Sequence, residues 1–437
     1  MLEVLAPAGE LEQLKIAVWH GADAVYLAAQ DFGMRAAPAN FSFEELEEAV
    51  RFAHSRNVKV YQTVNVLPTN AEVGKLEKFI KMSAAVGVDA IIVADVGVLM
   101  LARRVAPHLP VHISVQMGVV NFLTANELHA LGASRVVLAR ELTLLDIATI
   151  RENIPADLEI ECFVHGAICM SMSGRCLISK YFNDRDANHG ECSQPCRWEY
   201  DITNPGHPEL SLNVVEKAVR NQDGTVLSQG SYILNSKDLC MVENIKDLAD
   251  AGVTSLKIEG RAKSSFYVAS CVNAYRRAVD QFYADRNSAV SDELLEDVQK
   301  ISHRQYSTGF YYAHAEDAQG NALEGGYDAG RTPSSFFDKG YKQEWKPAAV
   351  KLEDGWHQRG KFSAGDELEV LVPFKESRRV VVEGIWGLDD PHSRKKGTML
   401  PAPLEQEATQ HADQLLKFSF GSQSDDFPPG TFLRMHT

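Results

Sequence analysis

The stretch Val88-Asp-Ala-Ile-Ile-Val-Ala-Asp-Val-Gly-Val-Leu-Met-Leu-Ala-Arg-Arg-Val-Ala106 is the most apolar part of this 437-residue chain, and it decides the fold. Charged side chains, among them Asp95 and Arg103, interrupt it, which makes a membrane span a poor interpretation. Its first part, Ala90–Ala94, is continuously apolar, as in a parallel strand covered on both faces. The stretch therefore predicts a buried β-strand followed by an α-helix.

The same strand-then-helix unit recurs along the chain. Helix signals lie between the apolar runs, such as the capping box that begins at Ser42 and the similar pattern that begins at Thr143. The other predicted strands are Glu3–Ala6, Ala24–Leu27, Val58–Val64, Val111–Val115, Arg135–Leu138, Leu158–Phe163 and Thr254–Ile258. Eight such units predict a (β/α)₈ TIM-like barrel, with a doubly wound sheet as the alternative.

Composition changes along the chain predict its domains. The barrel is expected over residues 1–303, with a cysteine-bearing excursion (166–240) after strand seven and a hairpin turn at Asp223-Gly224. Residues 304–339, rich in Gly, Ser and aromatic residues, are expected to be a linker. Residues 340–437 predict a small all-β barrel domain. Its expected strands are Ala348–Leu352, Glu367–Val372, Val380–Ile385 and Thr431–Arg434.

Charge and cysteine content limit the function classes. The net charge of −15 argues against broad, non-specific nucleic-acid binding, so an RNA would have to meet local basic patches. The N-terminal sequence MLEVLAPAGE lacks a basic and apolar export signal, which predicts a cytoplasmic protein without a membrane segment. In that reducing compartment, metal binding or catalysis is a better interpretation of seven cysteines than disulfides.

Polar residues collect where the predicted strands end, which is where barrel enzymes build their active sites. The alternative is that they cap helices and solvate loops. These residues are Asn65, Asp95, Gln116, Arg140, Glu141, His165, Glu259 and Arg261.

Five cysteines lie close together in the sequence: Cys169, Cys176, Cys192, Cys196 and Cys240. Thiolates are soft ligands that select zinc or iron–sulfur clusters. Zinc knuckles favour closely spaced pairs, and only the Cys192/Cys196 pair has that spacing. The pattern also differs from that of ferredoxins. A metal site and buried structural cysteines therefore both stay open, whereas Cys162 and Cys271 are expected in the core.

The stretch Glu161-Cys-Phe-Val-His-Gly-Ala-Ile-Cys-Met-Ser-Met-Ser-Gly-Arg-Cys-Leu-Ile-Ser179 resembles the signature of the collagenase-like peptidase family, whose catalytic type is unassigned. The resemblance covers nearly the whole chain and implies the barrel and the C-terminal β-barrel. Further matching blocks are Leu5–Gly9, Arg35 ahead of Asn40-Phe41, Thr63–Asn65, Ser114–Gln116, Arg135–Glu141, Ser255–Arg261 and Phe362–Val370.

The length and single end domain resemble the family branch that hydroxylates the wobble uridine of tRNA to 5-hydroxyuridine, with prephenate and without molecular oxygen. The resemblance thus implies tRNA and a small dicarboxylate as partners. In the ubiquinone-synthesis branch four cysteines hold a [4Fe–4S] cluster. By motif these correspond to Cys169, Cys176, Cys192 and Cys240, and Cys196 is a fifth thiol close enough to substitute.

A dicarboxylate needs cationic partners, and arginine binds carboxylates through two parallel hydrogen bonds. The candidates are Arg35, Arg140, Lys257 and Arg261, with Asn65, Gln116 and Glu259 as further substrate contacts. His165, Glu161 and Arg140 are the catalytic candidates, with His165 as acid–base or polar contact. For each charged residue, an ion pair with a neighbouring charge is the alternative.

Two other function classes stay open. A peptidase could use a Cys169–His165 pair, although the chain has neither a His-Glu-x-x-His nor a Gly-x-Ser-x-Gly motif. A zinc-containing RNA-binding scaffold would need only the cysteines and the β domain. In that domain Arg378-Arg379 and Arg394–Lys396 are basic patches. Trp356, Trp386 and Phe374 are possible stacking partners for RNA bases.

Overall fold

The protein is described here by a computed structural model that covers residues 1–30, 32–33, 40–198, 200, 219–220, 226–228, 232, 234–313, 341–389, 399–420 and 426–437. The predicted candidates Arg35 and Arg394–Lys396 lie outside the described residues, as does most of the predicted linker.

The N-terminal part contains the strands β1 (Glu3–Pro7), β2 (Ala24–Leu27), β3 (Lys59–Val64), β4 (Ala90–Val93), β5 (Val111–Ile113), β6 (Arg135–Val137), β7 (Glu159–Ala167), β8 (Val219–Arg220), β9 (Val226–Ser228), β10 (Asp238–Cys240), β11 (Ser255–Ile258) and β12 (Tyr306–Ser307). Strands β1 to β7 pair in parallel in chain order, and β11 pairs in parallel with both β7 and β1. This closes an eight-stranded parallel barrel, and the predicted TIM-like fold is confirmed.

The helices are α1 (Leu11–Trp19), α2 (Phe43–His54), α3 (Asn70–Val86), α4 (Val96–Val105), α5 (Phe122–Ala130), α6 (Leu144–Glu152), α7 (Ile178–Asn183), α8 (Ile245–Asp250), α9 (Ser265–Ala284) and α10 (Asp292–Gln299). The capping boxes at Ser42 and Thr143 form as predicted, because each hydroxyl accepts a hydrogen bond from a backbone N–H of the first turn. Within the described residues, every helix is too short or too polar to cross a membrane.

Strand β7 is longer than predicted and extends past the barrel. Its last residues pair antiparallel with β10, so that His165 lies opposite Cys240, and β10 also pairs with β12. Strands β8 and β9 pair antiparallel on either side of the predicted hairpin turn. The cysteine-bearing excursion therefore leaves the barrel on a two-stranded ribbon formed by β7 and β10.

The C-terminal part is a half-barrel of antiparallel strands: β13 (Trp345–Lys351), β14 (Trp356–Gln358), β15 (Glu367–Leu371), β16 (Arg378–Val381), β17 (Gly384–Asp389), β18 (Met399–Gln406), β19 (Leu415–Ser419) and β20 (Phe432–His436). The single strand predicted at Val380–Ile385 is wrong, since it spans the end of β16 and the start of β17.

Trp356 is not available for stacking on RNA. It is buried, and its ring centroid lies 5.6 Å from that of Phe418.

The half-barrel and the barrel share a hydrophobic core. Phe432 belongs to the barrel's apolar cluster and lies 5.6 Å from the Phe266 ring of α9. The fully buried Arg434 forms ion pairs with Asp297 of α10 and Glu369 of β15. The division into 1–303, 304–339 and 340–437 stays a prediction, and the packing across it is continuous.

Candidate functional site

The barrel interior contains a buried network of charged side chains. Arg135 on β6 lies with Nη1 2.6 Å from Glu3 Oε1 and 3.2 Å from Glu161 Oε2, and its Nη2 lies 2.6 Å from Glu159 Oε2. Burial raises the pKa of Glu3, but the Arg135 guanidinium outweighs this effect and the net pKa is lowered. These contacts offset the cost of burying charge inside the barrel.

Glu161, predicted as a catalytic candidate, is fully buried in this network. Its Oε1 accepts a 2.6 Å hydrogen bond from Lys257 Nζ, and its Oε2 faces Arg135. Lys257, predicted as a substrate contact, also lies over aromatic rings, 4.4 Å from the Tyr26 centroid and 5.4 Å from that of Phe163. In this geometry Glu161 holds Lys257 in place within the barrel.

Arg140 and Glu259 lie at the carboxyl ends of β6 and β11 and are partly exposed. Arg140 Nη2 is 3.9 Å from Glu259 Oε2, and its guanidinium carbon is 4.0 Å from the Phe163 ring centroid. Arg140 and Lys257 therefore both contact the Phe163 ring. Arg140 lies at the top of the barrel, 3.9 Å from Glu259, whereas Lys257 lies below it and is ion-paired with the buried Glu161.

Arg261, Asn65 and Gln116 surround the same end of the barrel. Arg261 is buried and donates to Thr63 Oγ1 at 3.0 Å and to Asn40 Oδ1 at 3.2 Å, which ties the loop ahead of α2 to the end of β3. Asn65 directly follows β3. Gln116 is 6% exposed, and its Nε2 has no hydrogen-bond partner among the described residues. A buried amide without a partner is costly, which marks Gln116 as a donor for a bound polar group.

His165 faces away from this rim. It is buried against α9, with Nδ1 3.5 Å from the Tyr275 hydroxyl and Nε2 3.4 Å from the Tyr306 hydroxyl. Burial lowers its pKa to about 3, so the ring is neutral at physiological pH. Both ring nitrogens face tyrosines, whereas Cys169 is exposed in the excursion. A Cys169–His165 nucleophile pair would require His165 to leave these tyrosines.

Four of the five clustered cysteines lie near one another. Burial raises the pKa of Cys196, Arg197 lowers it, and the thiols of Cys169, Cys192 and Cys176 raise it further. Each of these four residues is exposed or partly exposed. The effect of these three thiols on Cys196 places the four residues in one neighbourhood, called here the thiol group. Among the described residues, no set of three or more His, Cys, Asp or Glu side chains is arranged to hold a single metal ion.

Cys240 lies apart from the thiol group. It is buried on β10, burial raises its pKa to about 12, and a hydrogen bond links it to Tyr275 of α9. Its thiol interacts with that of Cys271, which is buried in the same helix. Cys162 is also buried, as predicted. The structure thus brings Cys196, and not Cys240, close to Cys169, Cys176 and Cys192, the three cysteines that belong to either predicted set of cluster ligands.

The thiol group is held against the barrel rim by its own loop. Ser173 donates to Glu141 from its backbone N–H at 2.7 Å and from its hydroxyl at 3.0 Å. Gly174 has a φ of +73°, and a Cβ there would lie 2.3 Å from the Cα of Gln116. The loop that carries Cys176 therefore packs directly on the residue that presents an unpaired amide to the rim.

We expect Gly174→Ala to displace this loop, because the added methyl group meets backbone and the positive φ disfavours any side chain. The variant should lose about 1 kcal/mol or more of unfolding free energy. The partly buried Cys176 and Cys196 should react faster with a thiol reagent under native conditions. Gly74→Ala, at an exposed helical site with nothing within 4 Å, is the matched control. Unchanged thiol reactivity in Gly174→Ala would contradict this role of the loop.

Sequence reasoning missed two contributors to the site. Arg135 was seen only as part of a strand, although a cation in an apolar parallel strand requires buried carboxylates nearby. Ser173 was seen only as part of a motif, and its contact with Glu141 joins segments 32 residues apart. The alternation of strand residues could have placed Arg135 inside the barrel, whereas no sequence signal pairs Ser173 with Glu141.

A barrel with a cysteine-bearing excursion at the carboxyl ends of its strands defines the class of protein. The chain belongs to peptidase family U32, whose family model matches residues 9–321. It is 36% identical over 419 residues to tRNA hydroxylation protein P1 of Bacillus subtilis, covering 95% of this chain and 91% of that protein. It is 37% identical over 400 residues to tRNA hydroxylation protein P of Escherichia coli, covering 85% and 86%.

A third relative is the 23S rRNA 5-hydroxycytidine C2501 synthase of Escherichia coli, 36% identical over 285 residues. This match covers 65% of this chain and 40% of that protein.

Proposed function

We propose that this protein is an RNA-hydroxylating enzyme that converts a wobble uridine of tRNA to 5-hydroxyuridine, with prephenate as co-substrate and a [4Fe–4S] cluster as cofactor. The observation that carries the proposal is the thiol group held against a rim at which Arg140 and Gln116 lie. The names of the relatives, two tRNA hydroxylation proteins and an rRNA hydroxycytidine synthase, support RNA hydroxylation as the reaction class.

The rim offers a cation and an amide donor to a carboxylate. Among the described residues, Arg140 lies within 4 Å of one carboxylate, that of Glu259, and the 3.9 Å between Nη2 and Oε2 is too long for a hydrogen bond. A carboxylate of the co-substrate can therefore accept hydrogen bonds from Arg140 with little competition. The Gln116 Nε2, which has no partner among the described residues, donates to a second oxygen.

The thiol group has the donor chemistry for an iron–sulfur cluster. Its four sulfurs, from Cys169, Cys176, Cys192 and Cys196, are soft ligands and are accessible from solvent. Burial and the neighbouring thiols raise the pKa of Cys196, and Arg197 offsets only part of this, so a metal ion would have to displace the proton of that thiol on binding. A bound cluster would supply one-electron redox chemistry that side chains lack.

Deleting the gene, in a strain that also lacks oxygen-dependent routes to the same nucleoside, is expected to remove 5-hydroxyuridine and its derivatives from tRNA. Mass spectrometry of nuclease-digested tRNA measures this loss. Wild-type protein should restore the nucleosides. Arg140→Lys should lower the restored amount of these nucleosides roughly tenfold or more, because loss of the planar guanidinium weakens carboxylate binding by about 1.5–3 kcal/mol.

Arg104→Lys, on the exposed face of α4, is the matched control and should restore wild-type levels. Unchanged tRNA in the deletion strain, with altered rRNA nucleosides instead, would redirect the proposal to ribosomal RNA. If the nucleosides of both tRNA and rRNA are unchanged in the deletion strain, the proposal of an RNA-hydroxylating enzyme is contradicted.

A further inference from the structure

A group of exposed aromatic rings lies beside the thiol group. Tyr181 and Phe182 of α7 are 86% and 52% exposed, and Trp198 is 40% exposed. The Phe182 ring centroid lies 5.6 Å from that of Tyr181 and 6.4 Å from those of both Trp198 and Tyr200. These four residues are called here the aromatic platform.

The aromatic platform is carried by the same segment as the cysteines. Helix α7 lies between Cys176 and Cys192, and Trp198 follows Cys196 by two residues. Leu177 and Met170 extend the apolar surface, at 68% and 49% exposed. Large contiguous apolar surfaces on a protein mark sites of interaction. A molecule bound on the platform would therefore also meet the thiol group.

The charge around the platform is balanced, so this surface does not repel a polyanion as the acidic chain as a whole would. Residues 170–200 contain four Lys or Arg and four Asp or Glu, whereas the whole chain carries a net charge of −15. Arg175, Lys180 and Arg185 are exposed here, although Lys180 pairs with Asp184 at 2.7 Å. This surface thus lacks the negative charge that repels phosphates elsewhere on the molecule.

We propose that the aromatic platform binds single-stranded RNA, with unstacked bases of a tRNA loop stacked on the rings of Phe182 and Trp198. Aromatic side chains next to cations are the usual means of holding unpaired bases, because every base offers a π-face and the cations contact the backbone phosphates. The inference rests on the proposed function, since it supplies the surface that delivers a loop nucleotide to the thiol group.

Binding of a labelled anticodon stem–loop RNA, measured by fluorescence anisotropy with full-length protein, tests the proposal. Phe182→Ala and Trp198→Ala should each weaken stem–loop binding roughly 5- to 150-fold, the range found for losing one stacked base. Phe182→Tyr and Trp198→Phe keep a ring and should stay near wild-type affinity. A blunt duplex RNA of the same length should bind all variants equally weakly.

Tyr283→Ala is the matched control. Tyr283 is 48% exposed and lies at the opposite end of the barrel, where its hydroxyl accepts a hydrogen bond from the backbone of Leu2. This variant should bind the stem–loop like wild type. Equal melting temperatures across the set ensure that lost binding does not reflect unfolding.

Three results would overturn the inference. Stem–loop affinity unchanged in Phe182→Ala and Trp198→Ala would remove the platform from RNA binding. If the same variants change the oligomeric state of the protein but not its RNA affinity, the surface is a protein–protein contact. Equal losses for duplex and stem–loop would replace stacking by a general effect. If wild-type protein binds neither RNA, both the inference and the proposed function fail. The three results above, in contrast, contradict the inference and leave the proposed function standing.

Discussion

Replacing Cys196 by serine is expected to abolish iron binding, whereas replacing Cys240 by alanine is expected to leave it intact. Cys196 shares one electrostatic neighbourhood with Cys169, Cys176 and Cys192, and Cys240 instead contacts α9. A serine hydroxyl is a hard donor and a poor substitute for a thiolate on iron. Iron and acid-labile sulfide content after anaerobic purification, together with visible absorbance, would measure the difference.

Cys271→Ala is the matched control for Cys240→Ala, because both remove a buried thiol from the same contact. Both variants should lose some stability and keep wild-type iron content. The reverse pattern, with iron lost in Cys240→Ala and kept in Cys196→Ser, would establish the ligand set implied by the family resemblance. A wild-type protein that contains zinc and no iron would contradict the proposed iron–sulfur cluster.

Arg135→Met is expected to cause a large loss of stability. It leaves the buried carboxylates of Glu3 and Glu161 facing each other without their shared cation. Removing one partner from a buried ion pair costs about 3–5 kcal/mol. Unfolding free energies from urea titration at pH 7 would measure the loss. Arg104→Met, on an exposed helix face, should change stability by less than about 0.5 kcal/mol.

The pH dependence provides a second test of the same network. Because the folded-state pKa of Glu3 is lowered, its contribution to stability is present above the unfolded value of 4.5 and is lost as the pH falls through the folded-state value. In Arg135→Met that contribution is absent. The stability gap between wild type and variant should therefore narrow below pH 4.5. A gap independent of pH would show that packing, and not charge, explains the loss.

The barrel was predictable because its strands follow one simple rule. Parallel strands with helices on their outer face are apolar throughout, and the predicted bounds agree with β1 to β6 and β11 to within one or two residues. The C-terminal half-barrel was less predictable. Strand β18 is largely exposed and contains two prolines, so neither periodicity nor propensity marks it.

The sequence predicted where the rim lies but not how its side chains are oriented. Arg140 and Glu259 lie within 4 Å of each other, because carboxyl ends of parallel strands meet at one face. The orientation of His165 was not predictable, since the pairing of β7 with β11 shifts between Lys257 and Ile258 and changes which face the following residues take. The burial of Trp356 was equally hidden, because composition does not distinguish a core tryptophan from an exposed one.

The antiparallel ribbon of β7 and β10 has a consequence for how such proteins diverge. His165 and Cys240 lie opposite each other and face α9 together. Since side chains alternate between faces, a slip of β10 by one residue along β7 would turn the Cys240 thiol away from α9. The register of this ribbon, and not the presence of the cysteine, thus decides whether that sulfur is buried in the core or faces outward. A relative could therefore retain this cysteine in its sequence and still present its thiol on the other face of the ribbon.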